Sequence, residues 1–507
     1  MQQLLTVFVW FTFLAACIFS PGCGSADSEC LSDKHRGATG EEELLGPETE
    51  PELEPPPRLP IPARKPDQDD SPGTLRGRPN VVLIVIDALR ADKLGSYGCR
   101  QATSPSLDSL AATGVQFDRV LAQCSWTRPS MGSLLTSRYP RSLGLYREED
   151  EMLDDRFEQL AEILRAQGYT TIGLTANPVI NSSYNFHQGF DEYIDSDVVF
   201  EWMEVPDGGT VHGEECLPSA SRLFDEALRR IDARGTDTGP FYLQINIMEV
   251  HEWAANRPNT NLLRPEYGEL FPDVPDSPFV KYLRMVRQAT DQLGAFVGCL
   301  TTLPGWEDTL FVILSDHGEG LNDHPGVQIS EFHGRLLYDA TLDVPWIMFR
   351  KGWTPKQARV NVEVRLLDVL PTLLDYLGLP IPAGLDGVSV LPLVNETSAR
   401  VPLPEMMVAE THFRGAEKIA VYGRKWKYIN SRRPQPGVAP YELQARGLGR
   451  ENGTLSNQFR KQSQAAQALR SYLGLWEKKH PRARPAKRTA ALSEDAKKQL
   501  GAIGYLH

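Results

Sequence analysis

Acids and histidines recur at the ends of apolar runs in this chain. Asp87 closes the run NVVLIVI, Asp316 and His317 follow TLFVIL, and Glu249 and His251 follow FYLQINIM. His324 and His333 lie in the stretch after Asp316. Carboxylate oxygens and imidazole nitrogens delivered from separate strand ends can enclose one divalent ion. Thr127, within CSWTRPSMGSLLTSRYP, supplies a hydroxyl. Pro129 suits a first helical turn, which puts Thr127 near a helix N-terminus, where unpaired N–H groups and the dipole favour an anion. A Thr127 hydroxyl bound to that ion is a nucleophile suited to a sulfate or phosphate ester. Arg128 adds charged donors for the anion. An ordinary capped helix start reads the same way, and one histidine alone is usually structural. Recurrence at several strand ends is the stronger signal.

These residues need a scaffold that brings strand ends together. The continuous β-branched run before Asp87 lacks alternation, as expected for a strand buried on both faces of a parallel sheet. Helices are expected at 104–114, 154–167, 222–233, 282–300 and 336–342. Strands are expected at 115–120, 170–175, 241–248, 309–314 and 344–349. Their alternation predicts an α/β fold with a doubly wound, mostly parallel sheet, whose ligands sit at the carboxyl ends of the strands. Beyond about 405, strands 418–422 and 425–429 joined through Gly423, a helix at 458–478 and a short amphipathic tail at 492–507 predict a small C-terminal α+β lobe. The expected organisation is therefore 1–20, 21–78, 79–404 and 405–507.

The first twenty residues, MQQLLTVFVWFTFLAACIFS, read as a secretory signal, with Leu14-Ala15-Ala16-Cys17 resembling a lipobox although Lys and Arg are missing from the start. Export as a periplasmic or cell-surface lipoprotein, tethered to the membrane through this anchor, is the expectation. Residues 21–78 are rich in Glu, Asp and Pro, which predicts an extended spacer. Across all 507 residues, 41% are hydrophobic and 23% charged, as in a globular protein. The net charge of −13 argues against a nucleic-acid partner. Seven scattered cysteines form no C-x-x-C pair, which argues against a zinc ribbon or a thioredoxin-like site.

The segments PNVVLIVIDALRADKLGSYG, SWTRPSMGSLLTSRYP, INIMEVHEW, VILSDHGEGL and FHGRLLYDATLDVPWIMF, with KWKYI and AKKQLGAIGYLH near the end, resemble the sulfatase family of the alkaline phosphatase superfamily over roughly 79–507. The resemblance implies Asp87, Asp316 and His317 as metal ligands, Thr127 as nucleophile, and His251 and His333 as groups that hold or protonate the ester. His324 lies in a family-like loop and is carried as a substrate-binding candidate together with Arg128. The chain departs from the family in three ways. Thr127 stands where C-x-P-x-R has the cysteine that becomes formylglycine, so no formylglycine is expected. Ala88 replaces the second of two paired acids, and His317 stands where many sulfatases have Asn. Nitrogen for oxygen moves the expected ion from calcium toward zinc or manganese, with magnesium admissible and a second ion left open. The implied activity is hydrolysis of sulfate or phosphate esters of a small molecule, glycan or lipid. A phosphoethanolamine-type transferase and an inactive binding protein of the same fold are the alternatives.

Overall fold

The structure is a computed structural model that describes residues 78–146, 151–195, 219–235, 239–254, 262–275, 277–324, 327, 332–396, 400–434, 438–446, 457–486, 490, 492 and 497. The expected signal, spacer and most of the amphipathic tail lie outside the described residues.

The strand that ends at Asp87, β1 (Asn80–Ile86), is buried along its whole length. It pairs in parallel with β5 (Phe241–Ile247) on one side and β6 (Thr309–Leu314) on the other, with Ile84 opposite both Ile245 and Ile313. β3 (Thr170–Thr175) and β4 (Glu192–Ile194) continue the sheet beyond β5. β7 (Asp343–Arg350) and β2 (Val115–Leu121) continue it beyond β6. The short β8 (Arg359–Val360) and β9 (Val364–Arg365) both pair with β2. The order is β4-β3-β5-β1-β6-β7-β2-β8.

β7 runs antiparallel to both neighbours although it is as apolar as the parallel strands. Burial on two faces says nothing about direction, which is why the sequence does not reveal the reversal. The reversal has a consequence for the site. β1, β2, β3, β5 and β6 all finish at one edge of the sheet, and the segment leading into β7 enters at that same edge.

Helices cover both faces. α1 (Pro105–Ala111) packs with the long α5 (Pro278–Leu300), and α4 (Ala220–Arg234) lies beside α5. α2 (Thr127–Thr136) is buried at every residue on the opposite face. The helix expected at 154–167 is only α3 (Leu160–Ala166). Gln159 and Glu162 form a reciprocal capping box, Gln159 N–H donating to Glu162 Oε2 at 2.9 Å, which starts the helix at Leu160. The helix expected at 336–342 is likewise confined to Asp339–Leu342, because Tyr338 is extended and its hydroxyl donates to Glu442 at 3.2 Å.

The C-terminal part forms a four-stranded antiparallel sheet, β10 (Met407–Thr411), β11 (Glu417–Tyr422), β12 (Trp426–Arg433) and β13 (Tyr441–Ala445), with α7 (Ser463–Lys479) on one face. Ile419, Val421, Tyr428 and Leu443 pack on α7 through Leu469, Leu473 and Trp476. The opposite face, through Ala409, Ala420 and Ile429, joins the main core, which also holds α6 (Val369–Tyr376).

Trp346 of β7 stacks on Phe117 of β2 with centroids 3.9 Å apart and planes at 15°. Trp346→Ala is expected to cost about 3–5 kcal/mol, the range for emptying a large buried aromatic site, read from urea unfolding midpoints. A loss below about 1 kcal/mol would contradict the antiparallel β7/β2 junction as a core contact.

Candidate active site

Five strand ends contribute to one buried cluster. Asp87 follows β1, and Asp316 and His317 follow β6. One oxygen or nitrogen atom from each of these three lies within 4.8 Å of the others. Thr127 is the first residue of α2, after β2, and its Oγ1 is 3.2 Å from His317 Nε2 and 3.4 Å from Asp87 Oδ2. All four are fully buried. Trp126 precedes the helix in an extended conformation and supplies no side-chain cap.

Local contacts hold each group. Leu89 N–H donates to Ser315 Oγ, and the Tyr282 hydroxyl donates to the Ala88 carbonyl, which ties the turn after Asp87 to β6 and α5. Ala88 sits at φ +59°, an unusual conformation for a residue with a Cβ. Ser130 Oγ donates to the Asp316 carbonyl at 2.6 Å, fixing α2 to the second ligand loop. Gly318 approaches the Ala340 carbonyl so closely that a Cβ would lie 2.2 Å from its oxygen.

The donor set fits a divalent cation. Asp87 Oδ1 and Asp316 Oδ2 are buried without a hydrogen-bond partner, and each lies 3.5 Å from His317 Nε2. His317 Nδ1 lies 2.9 Å from the Gly318 carbonyl, which only accepts, so Nδ1 carries the proton. In the neutral ring Nε2 then points its lone pair at two carboxylates, an arrangement that a cation satisfies. Burial and the neighbouring Asp316 lift the Asp87 carboxyl to about 6, against the opposing pull of His251, His317 and Asn177.

Two further histidines stand beside the cluster. The His333 ring centroid is 4.5 Å from His317 and 4.9 Å from His251. Each is held by a carboxylate, His251 Nδ1 by Glu252 Oε1 at 2.8 Å and His333 Nδ1 by Glu319 Oε2 at 3.1 Å. Burial alone would lower the His251 pKa. Glu252, with Asp87 and Glu319, overcomes this and raises it to about 9. His251 Nε2 has no hydrogen-bond partner. Glu319 is fully buried, which would raise its pKa, but His333, Trp253 and the Gly320 N–H hold it below the usual value.

The sequence missed three residues here. Asn177, just past β3, donates to Asp87 Oδ2 at 2.6 Å and lies 3.5 Å from Thr127 Oγ1. Its place after a predicted strand was the available signal. Glu252 and Glu319 sit beside His251 and His317 in the chain, and nothing in their spacing marks them as partners of imidazoles.

Two expected substrate contacts need correction. The Arg128 guanidinium donates to the Val179 carbonyl at 3.0 Å and lies 3.6 Å over the Tyr184 ring. His324 lies in a separate small cavity with Arg90, Asp92, Asp323 and Asp339, edge-on to Tyr338, and burial lowers its pKa to about 4. Glu249 also diverges from His251, taking the Ala220 N–H at the start of α4. Cys124 is buried and its thiol pKa is pushed well up, which leaves it no nucleophilic role near Thr127.

The sulfatase family model matches residues 79–379. The chain belongs to the sulfatase family. It is thereby a sulfuric ester hydrolase in the alkaline phosphatase superfamily. An ulvan-active sulfatase of Formosa agariphila is 26% identical over 376 residues, covering 69% of this chain and 70% of the relative. A phosphonate monoester hydrolase of Agrobacterium radiobacter superposes with a TM-score of 0.60 at 19% identity, over 80% of this chain and 96% of the other. A structure in complex with D-glucosamine-2-N,6-O-disulfate gives a TM-score of 0.60 at 15% identity, over 81% and 99%.

In this sulfatase the position of His333 depends on a turn. Gly334 has φ +88°, its N–H donates to the Ser125 carbonyl at 2.7 Å, and its carbonyl accepts from Thr411 Oγ1. A Cβ on Gly334 would lie 2.4 Å from the Phe413 ring. Gly334→Ala is expected to cost about 1–3 kcal/mol in urea unfolding, since both the left-handed φ and the ring contact oppose it. An unchanged midpoint would mean that the turn is not fixed as described.

Proposed function

We propose that this protein cleaves a sulfate ester through Thr127, in a site that holds one divalent metal ion. The observation that carries the reading is the Thr127 hydroxyl lying 3.2 Å from His317 Nε2 and 3.4 Å from Asp87 Oδ2, among three convergent ligand groups. Zinc or manganese suits the mixed oxygen and nitrogen donors better than calcium, and magnesium is admissible. Asp87, Asp316, His317 and Thr127 would hold the metal, which would supply the positive charge against which a hydroxyl ionises at neutral pH.

Thr127 Oγ1 attacks sulfur while its proton passes to Asp87 Oδ2. The sulfur–oxygen bond to the organic group breaks, and His333 protonates the departing alcohol. His251, kept protonated by Glu252, presents Nε2–H to the non-bridging oxygens, and Asn177 steadies Thr127. The threonyl sulfate is then opened by water. His333 takes the water proton, the bond between sulfur and Thr127 breaks, and Thr127 recovers its proton from Asp87.

A second reading is a phosphate or phosphonate ester, and Thr127 itself favours it. A threonyl ester cannot shed its anion by elimination across a second hydroxyl and must await attack on the central atom. The organic half is a sulfated or phosphorylated small molecule, glycan or lipid. The ulvan relative and the glucosamine disulfate complex support a glycan. Export and membrane tethering rest on the apolar opening of the sequence.

Assays of 4-nitrophenyl sulfate, 4-nitrophenyl phosphate and a phenylphosphonate monoester decide the central atom. Thr127→Ala is expected to lower turnover at least about a thousandfold, and full activity in that variant would sink the nucleophile. Removing metal with a chelator should abolish turnover. Adding back zinc or manganese should restore it and raise Tm by at least about 3 °C. Asp316→Asn should lose that Tm response, whereas a chelator-resistant enzyme would refute metal dependence.

For pH, protonated His251 is the competent form. Activity is therefore lost as pH rises through its folded value, giving an alkaline limb no higher than about pH 9. Glu252→Gln removes a group that raises this pKa and should move the limb to lower pH. A limb that stays in place would dissociate it from His251.

A further inference from the structure

Six lysine and arginine side chains are buried among the described residues: Arg90, Arg128, Arg141, Arg365, Lys418 and Lys427. Four of them meet a carboxylate, Arg90 with Asp92 at 2.8 Å, Arg141 with Glu410 at 3.2 Å, Arg365 with Asp368 at 2.7 Å and Lys427 with Asp339 at 2.8 Å. Arg128 has the Val179 carbonyl and the Tyr184 ring. Lys418 is the exception. It is 1% exposed, and its Nζ has no hydrogen-bond partner. A buried ammonium without a counter-charge is among the costlier states that a core can hold.

Lys418 belongs to β11, and its alternation with Ala420 and Tyr422 turns it toward the main core rather than toward α7. It lies opposite Thr411 of β10 and Ser431 of β12, so three polar side chains form one rung across the sheet. Thr411 is engaged, its Oγ1 donating to the Gly334 carbonyl. Ser431, 3% exposed, is not, for its Oγ also lacks a partner. The carboxylate that acts on Lys418 is Glu442, which already accepts from the Tyr338 hydroxyl at 3.2 Å and the Gln444 amide at 3.0 Å. Burial lowers the Lys418 pKa to about 8; Glu442 opposes this and Arg335 adds to it. An ammonium and a hydroxyl side by side, both closed to solvent and both unpaired, call for an acceptor that brings negative charge.

We propose that the rung of Lys418 and Ser431 is a binding site for a small monovalent anion, a halide such as chloride, at the junction of the C-terminal sheet and the main core. The ligand must be small because both side chains are closed to solvent, and it must accept because the groups facing it donate. Water would meet the hydrogen bonds and leave the charge unmatched. Sulfate or phosphate, with three or more acceptor oxygens, would need more donors than an ammonium and a hydroxyl supply. Lys418 is the second residue of β11, and Arg432 and Arg433 at that end of β12 are exposed, which sets the rung near solvent for exchange. The site lies outside the Thr127 cluster and does not depend on the ester chemistry proposed there. Its occupant would brace the sheet beside Thr411, and so the Gly334 turn that follows His333.

The test is thermal unfolding of the full chain at neutral pH as chloride replaces gluconate at fixed ionic strength, which holds screening constant. The unaltered protein is expected to gain at least about 2 °C in Tm by about 100 mM chloride. Lys418→Met keeps the length of the stem, removes the charge and should lose that gain. Ser431→Ala, a smaller change, should at least halve it. A Tm of the unaltered protein that ignores chloride overturns the proposal, as does an equal gain in Lys418→Met. Crystals of the unaltered protein soaked in bromide need no variant to fold. An anomalous peak beside Lys418 Nζ supports the site, and its absence there overturns it.

Discussion

Two carboxylate oxygens and one imidazole nitrogen converge in a space closed to water, and no donor stands between them. Asp87 Oδ1 and Asp316 Oδ2 lack hydrogen-bond partners, and His317 Nε2 lies 3.5 Å from both. Buried like charges at such distances are costly unless a cation joins them. The fold around them supplies rigidity for that cost. β1 and β6 are adjacent, fully buried parallel strands, so the two acids project from neighbouring strand ends whose spacing is set by the sheet's hydrogen bonds. Thr127 joins them from α2, which is locked to the same loop by Ser130. Without that convergence Thr127 would be one more hydroxyl at a helix start.

The next layer consists of imidazoles, each with its own carboxylate. Glu252 and Glu319 orient His251 and His333 through Nδ1, leaving the other ring nitrogen for the reacting ester. His333 is also tied to the C-terminal sheet. Gly334 bonds to Ser125, two residues before Thr127, and to Thr411 of β10, while Tyr338 reaches Glu442 of β13. The C-terminal sheet therefore braces the segment that carries a proposed acid and base, and it shares the main core instead of standing apart from it.

Much of the scaffold was legible because strong patterns decide it. Apolar runs at β1 and β6 mark buried strands, and an acid just after each marks the edge where ligands gather. Direction was not legible, since the buried run of β7 looks like that of a parallel strand although it pairs antiparallel with β2 and β6. Helix starts failed where a local cap overrode periodicity, as Gln159 does. In the site, Asp87, Thr127, Asp316 and His317 could be found because each belongs to a local motif. Asn177, Glu252 and Glu319 act through contacts made only after folding. Arg128 shows a different limit. Its charge and position suggest an anion contact, while its guanidinium donates to the Val179 carbonyl and lies over the Tyr184 ring.

In the proposed reaction, the threonine that stands in place of the modified cysteine calls for a base near the nucleophile. An aldehyde hydrate can expel its ester anion by collapse of its own geminal hydroxyl, with no water attacking sulfur. A threonyl ester has one oxygen on its carbon and lacks that route. Its second half-reaction needs a water delivered to the central atom and a group to take the proton. His333, held by Glu319 and 4.5 Å from the His317 ring, is the group proposed for both half-reactions, giving a proton in the first and receiving one in the second. The end proposed for His251 is different, since Glu252 raises its pKa and keeps it charged where the anion would lie. In the proposed reaction the two carboxylate-held imidazoles are thus not duplicates, one moving a proton in each half-reaction and the other staying charged beside the anion.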